Sequence, residues 1–537
     1  MKHPVLPSVT KTLSGYKLML MLIMTLTTSA TLNVNAQYVN IVIDSTSGPN
    51  ETAIFIDPSN PLQLLGGANL NSTYTSSDGG YTWERKAMSS QYNVWGDPCV
   101  VIDTLGYYYY FHLSWPTSGA FIDRIVCQRS IDKGVTWNTG FGIGFDGQKA
   151  QDKEWAVVNP YNNDIYVTWT QFDVYGTSNP ADSSIIRFSK STDRGINWSE
   201  PVRLSEKAGD CVDDDNTVEG AVPCVGPNGE IYVSWAGPLG IVFDRSTDRG
   251  ETWLDHDIFV TDFPGGWNYD IPGISRCNGL PVTCCDLSNG PNRGTIYINW
   301  TDQRNGPDDT DVWLVKSTDG GSTWSVPVRV NDDLPGKQQF FTWMAIDQAN
   351  GNLWFVFYDR RNYDDTRNDV YLALSTDGGN TFRNFKVSES PFAPNAGTFF
   401  GDYNGISAHN NKVRPIWTRL HQGKLSALTA IVDTVYSGLP PVDHAPFSVE
   451  ETYPNPFDES TYFSFKVREP ARVTLAVYDI FGRKVAGIIE NEQMQPGKYT
   501  RQFDPAAFNL PSGVYYFTLN SKGQHKYRKI VFQKSSH

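Results

Sequence analysis

STDRGINW, at residues 191–198, is the stretch that decides the fold, because close copies of it occur six times along the chain. Each copy follows the pattern Ser-x-Asp-x-Gly-x-Thr/Asn-aromatic, and successive copies start 54 to 71 residues apart. Repeats of this period are typical of propellers and other repeat arrays. The copies are SSDGGYTW (76–83), SIDKGVTW (130–137), STDRGINW (191–198), STDRGETW (246–253), STDGGSTW (317–324) and STDGGNTF (375–382).

Each copy lies between two strand-like runs, as in IIRFSKSTDRGINWSEPVRL (185–204), which predicts a hairpin turn. The Asp accepts hydrogen bonds from amides of its own turn, and the Gly takes a positive φ. The aromatic ring then packs into the sheet. The pattern resembles the Asp box, or BNR repeat, of sialidases and many other β-propeller proteins. That resemblance implies a structural role for the box, at the edge of a blade and away from the central site.

Two more strands precede each box, which gives four strands per blade, as propellers require. The span 398–433 repeats the first three strands without a box. The missing strand is expected from QYVNIVID at 37–44, so that the N-terminus closes the ring. The sequence therefore predicts an all-β Asp-box β-propeller of seven blades over residues 37–433. A six-bladed ring, as in the sialidase family, is the alternative.

The N-terminal segment is predicted to be a signal peptide over residues 1–36. Three lysines precede the apolar run LMLMLIMTL (18–26), and small residues lead to a cleavage site before Gln37. The alternative is that this segment is an N-terminal membrane anchor. If it is cleaved as a signal peptide, the mature chain is expected to have no transmembrane segment. The net charge of -14 excludes a nucleic-acid partner, because phosphate binding needs basic patches.

All seven cysteines lie in the exported part of the chain, where disulfides are permitted. We expect one disulfide between Cys277 and Cys284 or Cys285, and another between Cys211 and Cys224. The odd number leaves at least one free thiol. Zinc binding is the alternative, although the spacings match no ligand pattern.

A linker rich in proline, at 434–446, separates the propeller from a second module at 447–537. Alternating apolar residues in this module predict a small, immunoglobulin-like antiparallel β-sandwich. Its motifs YPNPF (453–457), VTLAVYDIFGRKV (473–485) and LPSGVYYFTL (510–519) resemble the type A C-terminal sorting domain of the type IX secretion system of Bacteroidota. The resemblance implies type IX machinery as a partner and a protein that is secreted or held at the outer-membrane surface. An adhesion domain is the alternative.

Candidate catalytic residues are found where the innermost strands begin, because propeller ligands usually bind over the central channel. Aligning the blades places Asp97, Lys153 or Glu154, Glu219 or Gly220, and Asp402 at equivalent positions. Carboxyl groups close together shift each other's pKa, which separates an acid from a base or nucleophile. The alternative is that they cap turns or form salt bridges around the channel.

Candidate substrate-binding residues are Arg276, Arg304 and Arg360, because arginines gathered at one rim bind a sugar carboxylate bidentately. For Arg304 and Arg360 the alternative is a local pair with the Asp just before each one. If the three arginines converge on the carboxyl groups, an enzyme is favoured; if each is neutralised by its own Asp, a binding protein is favoured.

The sialidase resemblance also implies a Tyr nucleophile paired with Glu, for which Tyr403 or Tyr358 is the candidate, with Glu154 or Glu219 as its partner. The chain departs from that family, because residues 37–75 contain no Arg where the family carries one before the first box. A similar motif, VRPI (413–416), lies in the last blade.

The sequence thus predicts a glycan-directed glycoside hydrolase resembling exo-sialidases, which acts on a glycan or glycoprotein. The alternatives are a non-catalytic carbohydrate- or protein-binding propeller for adhesion or nutrient capture, and a different lyase or hydrolase on the same ring. We expect no cofactor, and the acidic run at 213–216 is a weak candidate for Ca²⁺.

Overall fold

The computed structural model describes residues 38–433, 447–467, 470–479, 483–521 and 524–534. The chain divides into two compact units, with the boundary between residues 434 and 435. The predicted signal peptide and linker lie outside the described residues.

The first unit is a ring of seven four-stranded antiparallel sheets. The first strand of each sheet contacts the first strand of the next, and the seventh contacts the first, so these strands surround a central channel. The propeller therefore has seven blades, the favoured count, and not six.

The N-terminal strand β1 (Val39–Asp44) starts the described chain, and the strands of the first three blades follow it. From the channel outward these are β2 (Ala53–Ile56), β3 (Leu64–Ala68), β4 (Ser72–Ser76) and β5 (Glu84–Ala87); β6 (Gly96–Ile102), β7 (Tyr108–Leu113), β8 (Ile125–Ser130) and β9 (Phe141–Ile143); β10 (Ala150–Val158), β11 (Ile165–Phe172), β12 (Ser184–Ser191) and β13 (Val202–Arg203).

The remaining four blades are built in the same order. Their strands are β14 (Glu219–Val225), β15 (Ile231–Gly237), β16 (Gly240–Ser246) and β17 (Ile258–Thr261); β18 (Val282–Cys285), β19 (Ile296–Asp302), β20 (Asp311–Ser317) and β21 (Val328–Arg329); β22 (Gln339–Asp347), β23 (Asn352–Asp359), β24 (Asp369–Ser375) and β25 (Arg383–Lys386); β26 (Gly405–His409), β27 (Lys412–His421) and β28 (Lys424–Asp433).

The seventh blade is completed by the N-terminus, as predicted. β1 pairs antiparallel with β28, with Val39 opposite Ile431. At the end of β1, Asp44 accepts a hydrogen bond of 3.0 Å from the Tyr74 hydroxyl and lies 3.2 Å from the Arg85 guanidinium. The strand therefore joins the last blade to the first.

Each Asp box forms the turn between the third and fourth strands of its blade. In the box at 191–198, the Asp193 carboxylate accepts hydrogen bonds from the amides of Ile196 and Asn197, at 3.1 and 2.8 Å. The Ser191 hydroxyl accepts one from the Gly195 amide at 2.8 Å. Gly195 has a φ of 79°, so the predicted turn chemistry is present.

The boxes also lie against the preceding blade. Each box glycine packs against the third strand of the preceding blade. A Cβ added to the glycine would lie 2.2 to 3.7 Å from a side-chain atom of that strand. The box therefore fixes the contact between two blades as well as its own turn. The six pairs are Gly80 with Ile431, Gly134 with Thr75, Gly195 with Cys127, Gly250 with Phe188, Gly321 with Phe243 and Gly379 with Leu314.

The cysteines are all free thiols, so both expected disulfides are wrong. All but Cys284 are buried, and they act as small apolar groups in the packing of the blades. Cys99 of the second blade, for example, accepts a hydrogen bond of 3.3 Å from the Ala156 amide of the third.

The second unit is a β-sandwich of one three-stranded and one four-stranded sheet, as predicted. Its core contains the stacked rings of Phe463 and Phe517, whose centroids are 4.2 Å apart. Among the described residues no helix is long and apolar enough to cross a membrane. The strands are β29 (Phe447–Tyr453), β30 (Thr461–Val467), β31 (Ala471–Tyr478), β32 (Lys484–Met494), β33 (Gly497–Phe503), β34 (Gly513–Ser521) and β35 (Gln524–Phe532), with one 3-10 turn at Pro505–Phe508.

Candidate active site at the mouth of the channel

A β-bulge recurs near the start of the innermost strand in blades two, three, four and six, where the pairing register shifts. Each bulge contains one residue with positive φ: Asp97, Lys153, Gly220 and Phe341. Bulges often re-aim a side chain next to a functional site. Here they turn Asp97 and Lys153 toward the channel mouth, where the two side chains meet.

Lys153 is the centre of the charged cluster at this mouth. Its ammonium lies 3.2 Å from a carboxylate oxygen of Asp97 and 2.6 Å from one of Asp402, and its side chain is only 6% exposed. Burial acts to raise the pKa of Asp402, but Lys153 and Arg276 outweigh it and hold that pKa at about 2. Asp402 is therefore ionised at neutral pH.

Arg276 is the more accessible cation of the cluster, with 38% of its side chain exposed. It donates two hydrogen bonds to the Asp402 carboxylate, one from Nε at 2.9 Å and one from a terminal nitrogen. Its other terminal nitrogen lies 3.2 Å from Asp213, which also accepts a hydrogen bond of 2.8 Å from the Tyr175 hydroxyl.

Two further carboxyl groups, Asp152 and Glu51, belong to the cluster, and the sequence did not point to them. Burial, opposed by Lys153, raises the pKa of Asp152 to about 7. Burial and the charge of Asp97 raise the pKa of Glu51 well above its usual value. Tyr175 was also missed as a site residue, and Asp213 was considered only as part of the candidate Ca²⁺ loop. Glu51 carried a signal, because it lies just before β2, the innermost strand of its blade, close to the position that Asp97 takes at the start of β6.

Glu154 and Glu219 are fully buried beside the cluster. Neither carboxyl group has a hydrogen-bond partner among the described residues, and burial raises the pKa of both well above the usual value. The negative charge of Glu154 would act on Cys99 and Tyr110 of the second blade, so this side chain faces the contact between blades. Burial therefore favours the neutral form of both carboxyl groups.

The candidate tyrosines differ in position. Tyr403 follows Asp402 at the mouth, where its hydroxyl lies 3.5 Å from the Pro98 carbonyl, and burial raises its pKa well above the usual value. Tyr358 is buried at the contact between the sixth and seventh blades, where it donates a hydrogen bond of 2.8 Å to the Thr418 carbonyl. Only Tyr403 therefore lies next to the cluster.

The three candidate arginines do not converge. Arg276 joins the cluster, but Arg304 is paired with Asp302, with its Nε 2.9 Å from one carboxylate oxygen. Arg360 donates hydrogen bonds to the Gln338 side chain at 3.2 Å and the Pro272 carbonyl at 2.7 Å. Burial lowers the pKa of Arg360 to about 10. Arg414 of the VRPI motif is fully buried and donates to Gly79 in the first box, which is a structural role.

The candidate calcium loop, 213–216, hydrogen-bonds to protein groups. Besides the contacts of Asp213, Asp215 accepts a hydrogen bond of 2.9 Å from the Asn268 amide, and Asp214 accepts one of 3.0 Å from the Asn268 side chain. The loop thus holds the segment before Arg276 against the mouth.

Two cavities lie along the channel. A small one of about 20 Å³ touches Lys153, Asn278 and Asp402, and has room for roughly one water molecule. A larger one of about 660 Å³ fills the channel below. Trp155, Trp343 and Tyr403 line both cavities, with ring centroids 5.6 to 6.3 Å apart. A sugar ring is too large for the upper cavity, so a glycan at this mouth lies across the cluster.

The second unit matches a known family. Residues 451–533 match the family described as the secretion system C-terminal sorting domain. The C-terminal unit is a type IX sorting domain. It directs export through type IX secretion, to the cell surface or out of the cell.

The propeller has more distant relatives. A xyloglucanase from a Paenibacillus species is 29% identical over 304 residues, which are 53% of this chain and 26% of that protein. The chain thus spans about a quarter of the length of this curated relative. Among solved structures, a Hadza microbial sialidase is 15% identical with a TM-score of 0.41, and the match covers 70% of this chain and 74% of that one. An α-L-arabinanase from Penicillium chrysogenum is 15% identical with a TM-score of 0.40, over 63% of this chain and 97% of that one.

Proposed function

We propose that the propeller is a glycan-directed glycoside hydrolase that acts at the mouth described above. The observation that carries the proposal is the cluster itself, in which four aspartates (Asp97, Asp152, Asp213 and Asp402) gather around Lys153 and Arg276 at the channel mouth. Asp152, with a pKa of about 7, is protonated part of the time at neutral pH, whereas Asp402, with a pKa of about 2, is ionised. Most glycosidases need one carboxyl group that donates a proton and another that is ionised. The curated relative named a xyloglucanase supports the same class of activity.

Within this proposal, Asp152 donates the proton to the leaving-group oxygen. Asp97 provides the second carboxyl group, because Lys153 contacts only one of its two oxygens and its side chain is 12% exposed. Asp402 holds Lys153 and Arg276 in place, and Arg276 is the cation that reaches solvent. Exo-sialidase specificity is the narrower form of the proposal, in which Arg276 binds the sugar carboxylate.

A non-catalytic glycan-binding propeller is the second candidate. It is favoured by the charge pairing at the mouth, where Lys153 and Arg276 are both neutralised by aspartates, and by the local pair between Arg304 and Asp302. The two candidates differ in turnover, so sugar release decides between them.

The test is hydrolysis of neutral, uronic and sialylated glycans by the full mature chain. For the substrate that is cleaved, we expect Asp152→Asn to lower kcat/KM by about 10² to 10⁴-fold. Because the acid must be protonated, wild-type kcat/KM falls as the pH rises through about 7, and the variant loses this dependence. Asp146→Asn, in a surface loop of the same blade, is the control. Glycan binding without any turnover favours the second candidate, and an Asp152→Asn variant as active as the wild type removes Asp152 from the mechanism.

A further inference from the structure

Beside the charged mouth lies a cluster of aromatic rings that the chemistry above does not use. The aromatic shelf consists of Trp95, Trp115, Phe121 and Tyr175. The rings of Trp115 and Phe121 stand edge-on to Trp95, with centroids 5.1 and 4.9 Å away, and Phe121 meets Tyr175 at 5.9 Å. Trp115 is 51% exposed and Phe121 is 42% exposed. Large apolar side chains grouped on a surface in this way usually mark a binding site.

The shelf is held in place by its backbone. The Trp115 amide donates to the Tyr92 carbonyl at 3.0 Å, and the Trp115 carbonyl accepts from the Asn93 side chain at 2.9 Å. Next to Phe121, Ile122 is buried and its carbonyl accepts a hydrogen bond of 2.8 Å from the Gln151 amide. The backbone that carries the exposed rings is therefore held by hydrogen bonds, and the rings themselves pack against Trp95, which lowers the entropy cost of binding.

The shelf continues into the charged mouth at two points. Trp95 lies two residues before Asp97, one of the two carboxylates that contact Lys153. Tyr175, at the other end of the shelf, donates its hydroxyl proton to Asp213, which pairs with Arg276. A ligand that extends from the mouth toward blades two and three therefore passes over these rings.

We propose that the aromatic shelf binds successive pyranose rings of an uncharged glycan chain whose scissile bond lies at the charged mouth. This inference rests on the proposed function and adds the substrate class. Flat apolar sugar faces pack on aromatic rings, while the hydroxyl groups at their rim remain hydrated. The upper cavity of about 20 Å³ does not admit a sugar ring, so the chain must lie along the surface.

Charge selects an uncharged glycan over a polyanionic one. The net charge of the chain is -14. At the mouth, both cations already form ion pairs with three aspartates: Asp97, Asp213 and Asp402. The shelf itself consists of rings without charge. A polyanionic glycan would be repelled along most of its length.

The experiment is calorimetric titration of the full mature chain with β-1,4-linked glucose oligosaccharides of two to six units. We expect affinity to rise with chain length in the wild type. Trp115→Ala and Phe121→Ala should each lower the affinity for the hexasaccharide about tenfold or more and affect the disaccharide much less. Trp115→Phe keeps an aromatic ring and should retain most of the affinity.

Phe259→Ala is the matched control, because Phe259 is 55% exposed on the outermost strand of the fourth blade, away from the shelf. It should leave binding unchanged. Thermal midpoints of all variants show whether the fold is intact; if Trp115→Ala unfolds, Phe121→Ala and Phe121→Leu decide.

The outcomes separate this inference from the proposed function. Hexasaccharide binding that is unchanged in folded shelf variants overturns the inference, as does a wild type that binds only polyanionic glycans or no oligosaccharide. A third outcome is binding that depends on chain length and on the shelf without any hydrolysis. That result supports the inference and contradicts the proposed hydrolase function.

Discussion

Lys153 joins three blades through one ammonium group, because its partners Asp97 and Asp402 come from the second and seventh blades. We expect Lys153→Met to lower the free energy of unfolding by about 3 to 5 kcal/mol, since it leaves buried carboxylates without their cation. Denaturant unfolding of the propeller measures the change. Lys149→Met is the control, because Lys149 is 37% exposed and its pairs with Asp146 and Asp173 should contribute at most about 1 kcal/mol. Equal losses in the two variants contradict a central role for Lys153.

The same residue shows how far sequence reasoning reaches into the site. Alignment of the blades located the position but left Lys153 and Glu154 as alternatives. The bulge decides between them: Lys153, with a φ of 50°, reaches Asp97 and Asp402 at the mouth, whereas the carboxyl group of Glu154 is buried without a hydrogen-bond partner among the described residues. A bulge depends on how a strand pairs with the next strand, so the sequence DKEW (152–155) by itself does not predict it. In the fourth blade, where Glu219 and Gly220 were the alternatives, Gly220 occupies the same bulge position as Lys153. Glu219 is buried beside it.

At the scale of elements, two structural requirements apply to the glycine of each Asp box: a positive φ and a close approach to the preceding blade. A Cβ at Gly250 would lie 2.6 Å from the Phe188 ring, whereas a Cβ at Gly229 would have no neighbour nearer than 3.7 Å, although both residues have positive φ. We expect Gly229→Ala to cost about 1 to 2 kcal/mol of stability through backbone strain alone. Gly250→Ala should cost about 1 to 3 kcal/mol more, because the ring must move. Denaturant midpoints compare the two variants, and equal costs argue against contact between the blades through the box.

The turn within each box was predictable because the hydrogen bonds that form it, as in the box at 191–198, connect residues within four positions of one another. The contact of the box with the preceding blade was not predictable. Gly250 and Phe188 are 62 residues apart, and no sequence pattern in either segment indicates that the two residues meet. The disulfides failed for a related reason. Short spacing suggested pairs, but the thiols face other neighbours: Cys284, for example, donates a hydrogen bond of 3.5 Å to the Met344 carbonyl of the sixth blade.

At the scale of the whole molecule, the ring explains why distant segments share one site. Asp97, Asp213, Arg276 and Asp402 come from four parts of the chain, and the seven inner strands bring them to one end of the channel. The repeat predicted the ring and its closure by the N-terminus. It did not predict Asp213 or Tyr175, because these lie on loops outside the repeat.

Closure by β1 predicts that the first residues after the expected cleavage site are needed for stability. A chain that starts at Gln37 keeps all of β1, whereas one that starts at Thr46 leaves β28 as an exposed edge and removes Asp44 from Tyr74 and Arg85. We expect the shorter chain to melt about 5 °C or more below the longer one and to aggregate more readily. Val42→Ala in the longer chain is the control, since Val42 is 50% exposed and the backbone pairing stays intact. Two chains with the same thermal midpoint show that the ring is closed without its N-terminal strand.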